Sequence, residues 1–235
     1  MQPTASVRRY VRRACRVVVL VALSVVLSAV AVNASLLGRV DRIHGAFDGL
    51  GHRPASAPGE TILMLGTRPD DAGDVAWLTG VQSVEAVMLV EIDPDGSAVR
   101  VLTLPVLAEV AASFASGSAS ETVAAVESWS GRRVDHLLAL DWRTFANLAA
   151  DNQLSISYRS GSPPPVQHDY LQHVLEGTLE TELRRRPVDL YRTLHTTASG
   201  SAIDREWSVL ELDHLFITLR GLRSNQIEFS MARPR

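Results

Sequence analysis

The chain has 235 residues, 46% of them hydrophobic, which is enough apolar material for one globular domain with a short appendage and excludes wholesale disorder. A single cysteine, Cys15, excludes an internal disulfide framework. The formal charge of −3 is uneven, because Arg8, Arg9, Arg12, Arg13 and Arg16 open the chain without an acid and residues 17–235 keep 18 basic against 26 acidic groups, a formal −8; an acidic body with no basic stripe excludes generic nucleic-acid binding.

Residues 1–16 read as a short cytoplasmic N-terminus. From Val17 to Leu37 there is no charged side chain in 21 residues, roughly 31 Å of helix and enough to span a bilayer. The arginines before it put residues 1–16 inside and the rest of the chain outside by the positive-inside rule. The alternative is a cleaved signal peptide, for which Ala29-Val30-Ala31 offers a cleavage point, but the apolar run exceeds the usual length of about 7–15 residues. The chain is therefore expected in the cell membrane as a single-pass protein with an extracytoplasmic domain.

Residues 38–60 read as a linker. Val40, Ile43, Phe47 and Leu50 are spaced like a short amphipathic helix, and Gly51 to Gly59 is rich in Pro, Gly, Ala and Ser. The domain proper is expected over 61–235. Thr61 to Leu65 is a short strand. Glu85 to Val110 carries two apolar runs around Asp93-Pro94-Asp95-Gly96, a turn signal that predicts a buried hairpin. Ala112 to Ser120 reads as a low-complexity surface loop and Glu121 to Trp129 as a helix stopped near Gly131. A strand over Val134–Leu140, a helix over Trp142–Ala150 and a strand over Leu154–Tyr158 follow. Ser160 to Val166 holds three consecutive prolines and is a loop. Asp169 to Arg186 has apolar residues at helical spacing and ends in Arg184-Arg185-Arg186 before Pro187, a helix C-terminus stabilised by cations. Helices over Val188–Thr196 and Trp207–Leu219 and a strand over Gln226–Met231 close the chain. Strands interleave with helices, so the fold class is α/β, a mixed central β-sheet sandwiched between helices.

Familiar catalytic signatures are missing. The sequence contains no G-x-S-x-G, no G-x-x-x-x-G-K-[ST] or G-x-G-x-x-G, and no H-E-x-x-H. Asp135-His136 and Asp213-His214 read as surface pairs, since neighbours in a strand point to opposite faces. At the other end of the hairpin, the strand that closes with Leu104-Pro105 runs on into Val106, Leu107 and Ala108, with no polar group where α/β proteins usually keep their chemistry.

Four pieces in order, Thr61-Ile62-Leu63-Met64-Leu65-Gly66, Val87 to Gly96, Val134-Asp135-His136 and Leu219-Arg220-Gly221-Leu222, give the chain a resemblance to the LytR-CpsA-Psr family from the anchor to Met231. That resemblance implies a membrane-anchored extracytoplasmic phosphotransferase. Such proteins move glycopolymers from a polyprenyl-pyrophosphate carrier onto peptidoglycan, with the lipid tail in an apolar tunnel. Stabilising the leaving phosphate calls for arginine forks or Mg²⁺ held by carboxylates.

This sequence departs from the family pattern at those groups. Gly66-Thr67-Arg68 stands where the family has G-S-D, so a cation replaces a metal-holding aspartate. Ser83-Val84-Glu85-Ala86 stands for R-S-D-T, leaving Glu85 as the retained carboxylate and the candidate metal ligand. Leu104-Pro105-Val106-Leu107 stands for I-P-R-D, so a valine replaces an arginine that contacts pyrophosphate. Downstream arginines are represented by Arg159, and the R-Q-Q helix start by Val166-Gln167-His168.

Arg68, Glu85, Arg159 and Gln167 are thus the candidate ligand-binding residues. Losing one charge-stabilising donor costs about 3 kcal/mol, so several lost together point to a catalytically degenerate protein. It would bind a polyprenyl-linked ligand or an envelope protein and need no cofactor. A divergent, active glycopolymer phosphotransferase using Mg²⁺, and an anchored scaffold with no ligand, are the alternatives.

Overall fold

A computed structural model of the chain describes residues 35–36, 38–69, 77, 81–151, 163, 165–166, 168–170, 172–173, 192, 195–219 and 222–232. Among these no helix is long and apolar enough to cross a membrane. The expected anchor lies outside them apart from Ser35 and Leu36, as do the strand expected at Leu154–Tyr158 and most of the helix expected over Asp169–Arg186. Val40–Arg235 is a compact unit.

Its centre is a mixed seven-stranded sheet. The strands are β1 (Asp41–Ile43), β2 (Glu60–Pro69), β3 (Val81–Ile92), β4 (Val99–Leu104), β5 (His136–Asp141), β6 (Ser201–Asp204) and β7 (Ile227–Met231), and the spatial order is β1-β6-β5-β2-β3-β4-β7. β2, β3 and β4 form an antiparallel meander, while β5 joins β2 and β7 joins β4 in parallel. The β3–β4 hairpin turns where the sequence indicates: the Gly96 N–H donates to the Asp93 carbonyl at 2.8 Å, and Gly96 takes φ 66°, a conformation that costs glycine little.

Strand alternation divides the apolar residues between two faces. On one face Leu63, Leu65, Val87, Leu89, Leu137 and Ala139 meet α1 (Ala108–Ala115) and α2 (Ala119–Ser130). Val110 and Phe114 of α1 are four apart, Val123 and Val126 of α2 three apart, so each pair projects from one side of its helix. Trp77 stands edge-on to Phe114 with centroids 4.8 Å apart. On the other face Ile62, Met88, Ile92, Val99 and Val101 are also buried. There α3 (Trp142–Asp151) leads out of β5, and α4 (Val209–Leu219) places Leu215 and Thr218 beside Glu60 and Ile92. Strands covered on both faces read as near-continuous apolar runs.

Four local expectations are corrected. The helix expected over Val40–Leu50 is replaced by β1, paired in parallel with β6, because Gly45 and Gly49 take φ 68° and 66° and interrupt any helix there. The loop expected at Ala112–Ser120 is largely helical, since alanine favours helix and Val110 with Phe114 supplies an apolar face; only the bend around Gly117 remains. β6, unforeseen, is four residues long and wholly buried, too short to announce itself by periodicity. Lastly, α4 begins at Val209 rather than Trp207. Ser208 and Glu211 form a reciprocal capping box, Ser208 N–H to Glu211 Oε2 at 2.8 Å and Glu211 N–H to Ser208 Oγ at 3.2 Å.

Candidate functional site

The end of the sheet where β2 leaves and β3 enters carries the residues in question. Across this ladder Gly66 pairs with Ala86 and Thr67 with Val84, so Glu85 is an extra residue in β3, a β-bulge. The bulge shifts the alternation: Val84 and Val87, three apart, both join the core under α1 and α2. It also re-aims Glu85, as bulges near sites do. The Glu85 side chain is 5% exposed, and its Oε2 lies 3.6 Å from Nε of Arg68. The same Arg68 Nε donates to Ser83 Oγ at 3.0 Å. Beside them Thr67 Oγ1 donates to the Leu140 carbonyl at 2.9 Å, fixing the end of β2 against β5.

The structure therefore brings Arg68 and Glu85 together and adds Ser83, which the sequence presented only as a lost arginine. Arg159 and Gln167 lie outside the described residues. The segment next to Gln167 is held over the same end of the sheet. His168 Nδ1 lies 3.0 Å from Thr103 Oγ1 on β4, and its ring meets Phe229 of β7 edge-on at 6.0 Å. Tyr170 follows in the same helical segment, buried, and desolvation raises its phenol above the ordinary value and keeps it neutral. After β4, Val106 is exposed and Leu107 packs against the core before α1 begins.

These residues do not fit a divalent cation. Glu85 is a single carboxylate beside a guanidinium, and among the described residues no group of three His, Cys, Asp or Glu side chains is placed to hold a metal ion. Mg²⁺ sites draw on carboxylates with water and substrate phosphate, and Arg68 puts a fixed positive charge where such an ion would need negative partners. What the arrangement offers instead is an arginine, 43% exposed, held at the mouth of a sheet end by one buried acid and one hydroxyl.

Two buried carboxylates went unremarked in the sequence. Asp204, at the end of β6, is fully buried and accepts the Leu137 N–H at 2.9 Å and the Trp207 N–H at 2.7 Å. His136 is not the surface residue its position beside Asp135 implies: it stacks on Trp207 at 4.3 Å, with Nδ1 3.4 Å from Asp204 Oδ2. Glu127 of α2 is buried under Arg53, paired at 2.7 Å, and accepts the Val134 N–H at 2.8 Å. Both acids satisfy backbone donors that would otherwise be buried without partners. The Leu137 donor reaches Asp204 from β5, 67 residues away in sequence, whereas the Trp207 and Val134 donors are three and seven residues from their acceptors and lie outside the strands.

No protein-family model and no curated protein matches the sequence. Solved structures do. The chain is similar to a LytR-Csp2A-Psr enzyme from Actinomyces oris, at 19% identity and TM-score 0.51, over 79% of this chain and 89% of that one. It is similar to protein gbs0355 from Streptococcus agalactiae at 14% identity and TM-score 0.55, over 75% and 77% of the two chains. TagV of B. subtilis matches at 14% identity and TM-score 0.51, over 77% and 87%. Identities this low speak for backbone architecture, and together with the ordered motifs and the mixed sheet they establish that the chain has the LytR-CpsA-Psr fold.

Proposed function

We propose that this protein is a membrane-anchored, extracytoplasmic LytR-CpsA-Psr-like protein of cell-envelope assembly that binds a polyprenyl-linked phosphate ligand without transferring its glycan. The Arg68–Glu85 pair carries this reading. A carboxylate engaged by an arginine of its own chain is a poor metal ligand, and the guanidinium that engages it remains accessible to a phosphate oxygen. Val106 in place of an arginine at the end of β4 removes a second charge from the same end of the sheet. Arg159 and Gln167 complete the proposed set of anion contacts, which is smaller than phosphoryl transfer calls for.

Lipid extraction and mass spectrometry of the purified full-length chain test the reading. Polyprenyl phosphate or pyrophosphate should be recovered, and recovery should fall in Arg68→Ala. With a lipid-pyrophosphate glycan and Mg²⁺, transfer should not exceed the background of Glu85→Ala. Turnover that depends on Glu85 defeats the proposal in favour of an active phosphotransferase, and absence of any bound lipid defeats it in favour of a scaffold.

A further inference from the structure

The opposite end of β2 holds a second feature, independent of the reading above. Glu60 and Arg68 are eight residues apart on one strand, about 26 Å at the usual rise, so no single side-chain-sized group reaches both. Around Glu60 a cleft of about 220 Å³ opens between the hairpin turn and α4, and Ile92, Asp93, Pro94, His214 and Leu215 are among the residues that line it. Glu60 pairs with Ile92 across the β2–β3 ladder and shares the face of Ile62, which turns its carboxyl toward α4.

Its Oε2 is buried and has no hydrogen-bond partner. A carboxylate oxygen withdrawn from water without a donor is costly, and the lining offers none that is committed to it. Asp93, the other acid, accepts from Arg100 Nη2 at 3.1 Å. That arginine also bonds Glu91, and Arg132 pairs with Glu91 as well, so the nearby cations are engaged elsewhere. Among the described residues, His214 is the only basic side chain in the lining.

Size and composition narrow the occupant. The volume is below the roughly 300–1,000 Å³ of sites for whole small molecules, and suits one side-chain-sized group. With Asp93 paired to Arg100, Glu60 is the acid left to a ligand; one carboxylate beside an imidazole, with no metal-holding group among the described residues, points to an organic cation, and Ile92, Pro94 and Leu215 offer apolar walls for an alkyl stem. We propose that this cleft binds a protruding alkylguanidinium or alkylammonium group, with Glu60 accepting its N–H donors and the apolar walls packing on its stem.

The test uses the full-length chain in detergent micelles and saturation-transfer difference NMR. Butylguanidinium should give a saturable signal and neutral butylurea, nearly the same shape, should not. Glu60→Gln should weaken butylguanidinium at least about tenfold, the ratio expected for losing a hydrogen bond to a charged group. Leu215→Trp, which fills the cleft and leaves the charge in place, should abolish binding, and it serves as the deciding variant if Glu60→Gln does not fold. Acetyl-Gly-Arg-Gly-amide separates the sources: binding as tight as butylguanidinium identifies a protein side chain as occupant, and weaker binding a free small cation. No saturable butylguanidinium signal, equal binding of butylurea, or a folded Glu60→Gln or Leu215→Trp variant that binds like the parent overturns the proposal.

Discussion

Arg68 reaches Glu85 across a β-bulge, Nε to Oε2 3.6 Å, and so ties the retained carboxylate of the sheet end to a cation of the neighbouring strand. Exchange of Arg68 for a carboxylate should recreate a two-acid site. In Arg68→Asp, Mn²⁺ binding followed by the EPR signal of free Mn²⁺ should be at least about tenfold tighter than in the parent, a difference of 1.4 kcal/mol. Equal Mn²⁺ affinities in folded parent and variant would mean that the bulge does not aim Glu85 toward a shared ion.

The end of β4 allows a gain-of-binding test. Val106 is 41% exposed, so Val106→Arg should fold normally, whereas Leu107→Asp buries a charge against the core and should unfold at lower urea concentration. If the ligand is a lipid pyrophosphate, Val106→Arg should tighten its binding by about 1.5–3 kcal/mol, one hydrogen bond to a charged group. Unchanged affinity in a flotation assay with lipid-pyrophosphate vesicles would place the ligand elsewhere.

Asp204 should matter to stability more than its sequence context suggests. It accepts two backbone N–H groups from β5 and from the turn before α4, and Asp204→Ala leaves both donors buried. The loss should be about 3–6 kcal/mol, at roughly 1.5–3 for each bond to a charged group. Urea unfolding followed by tryptophan fluorescence measures it, and a loss below about 1 kcal/mol would show that other groups satisfy those donors.

The capping box of α4 gives a pH signature. Hydrogen bonds from the Ser208 side chain, then its backbone N–H, hold the Glu211 carboxyl below its ordinary pKa. A depressed folded-state value means that this contribution is present above the ordinary glutamate range and is lost as pH falls through the folded value. Ser208→Ala should move the Glu211 midpoint upward in a carboxyl NMR titration and cost about 1 kcal/mol as a lost N-cap. A midpoint that stays put would assign the shift to another cause.

Topology follows from the arginine bias of residues 1–16 and the apolar run after them. A reporter active only outside the cytoplasm, fused after Arg235, should be active and sediment with membranes. Recovery of the fusion in soluble form would identify the segment as a cleaved signal.

The mixed α/β class, the hairpin turn at Asp93–Gly96, a strand in the region of Val134–Leu140, observed as His136–Asp141, and the helix stop at Gly131 were legible in the sequence, because turn chemistry and apolar runs act locally and are written locally. Its motif departures also drew attention to Arg68 and Glu85. Other features depend on contacts between segments far apart in the chain, which no local pattern carries. Asp41–Ile43 is a strand only because β6 lies beside it, and β6 is a strand only because β1 and β5 flank it. Glu85 meets Arg68 because a bulge in a nonlocal ladder turns its side chain, and Asp204 is buried as a carboxylate because its donors arrive from Leu137 and Trp207. The Trp207 donor is three residues away, but the Leu137 donor belongs to β5, and a backbone donor from another strand leaves no mark on the sequence around the acceptor, so this part of the site becomes visible only when the strands are assembled.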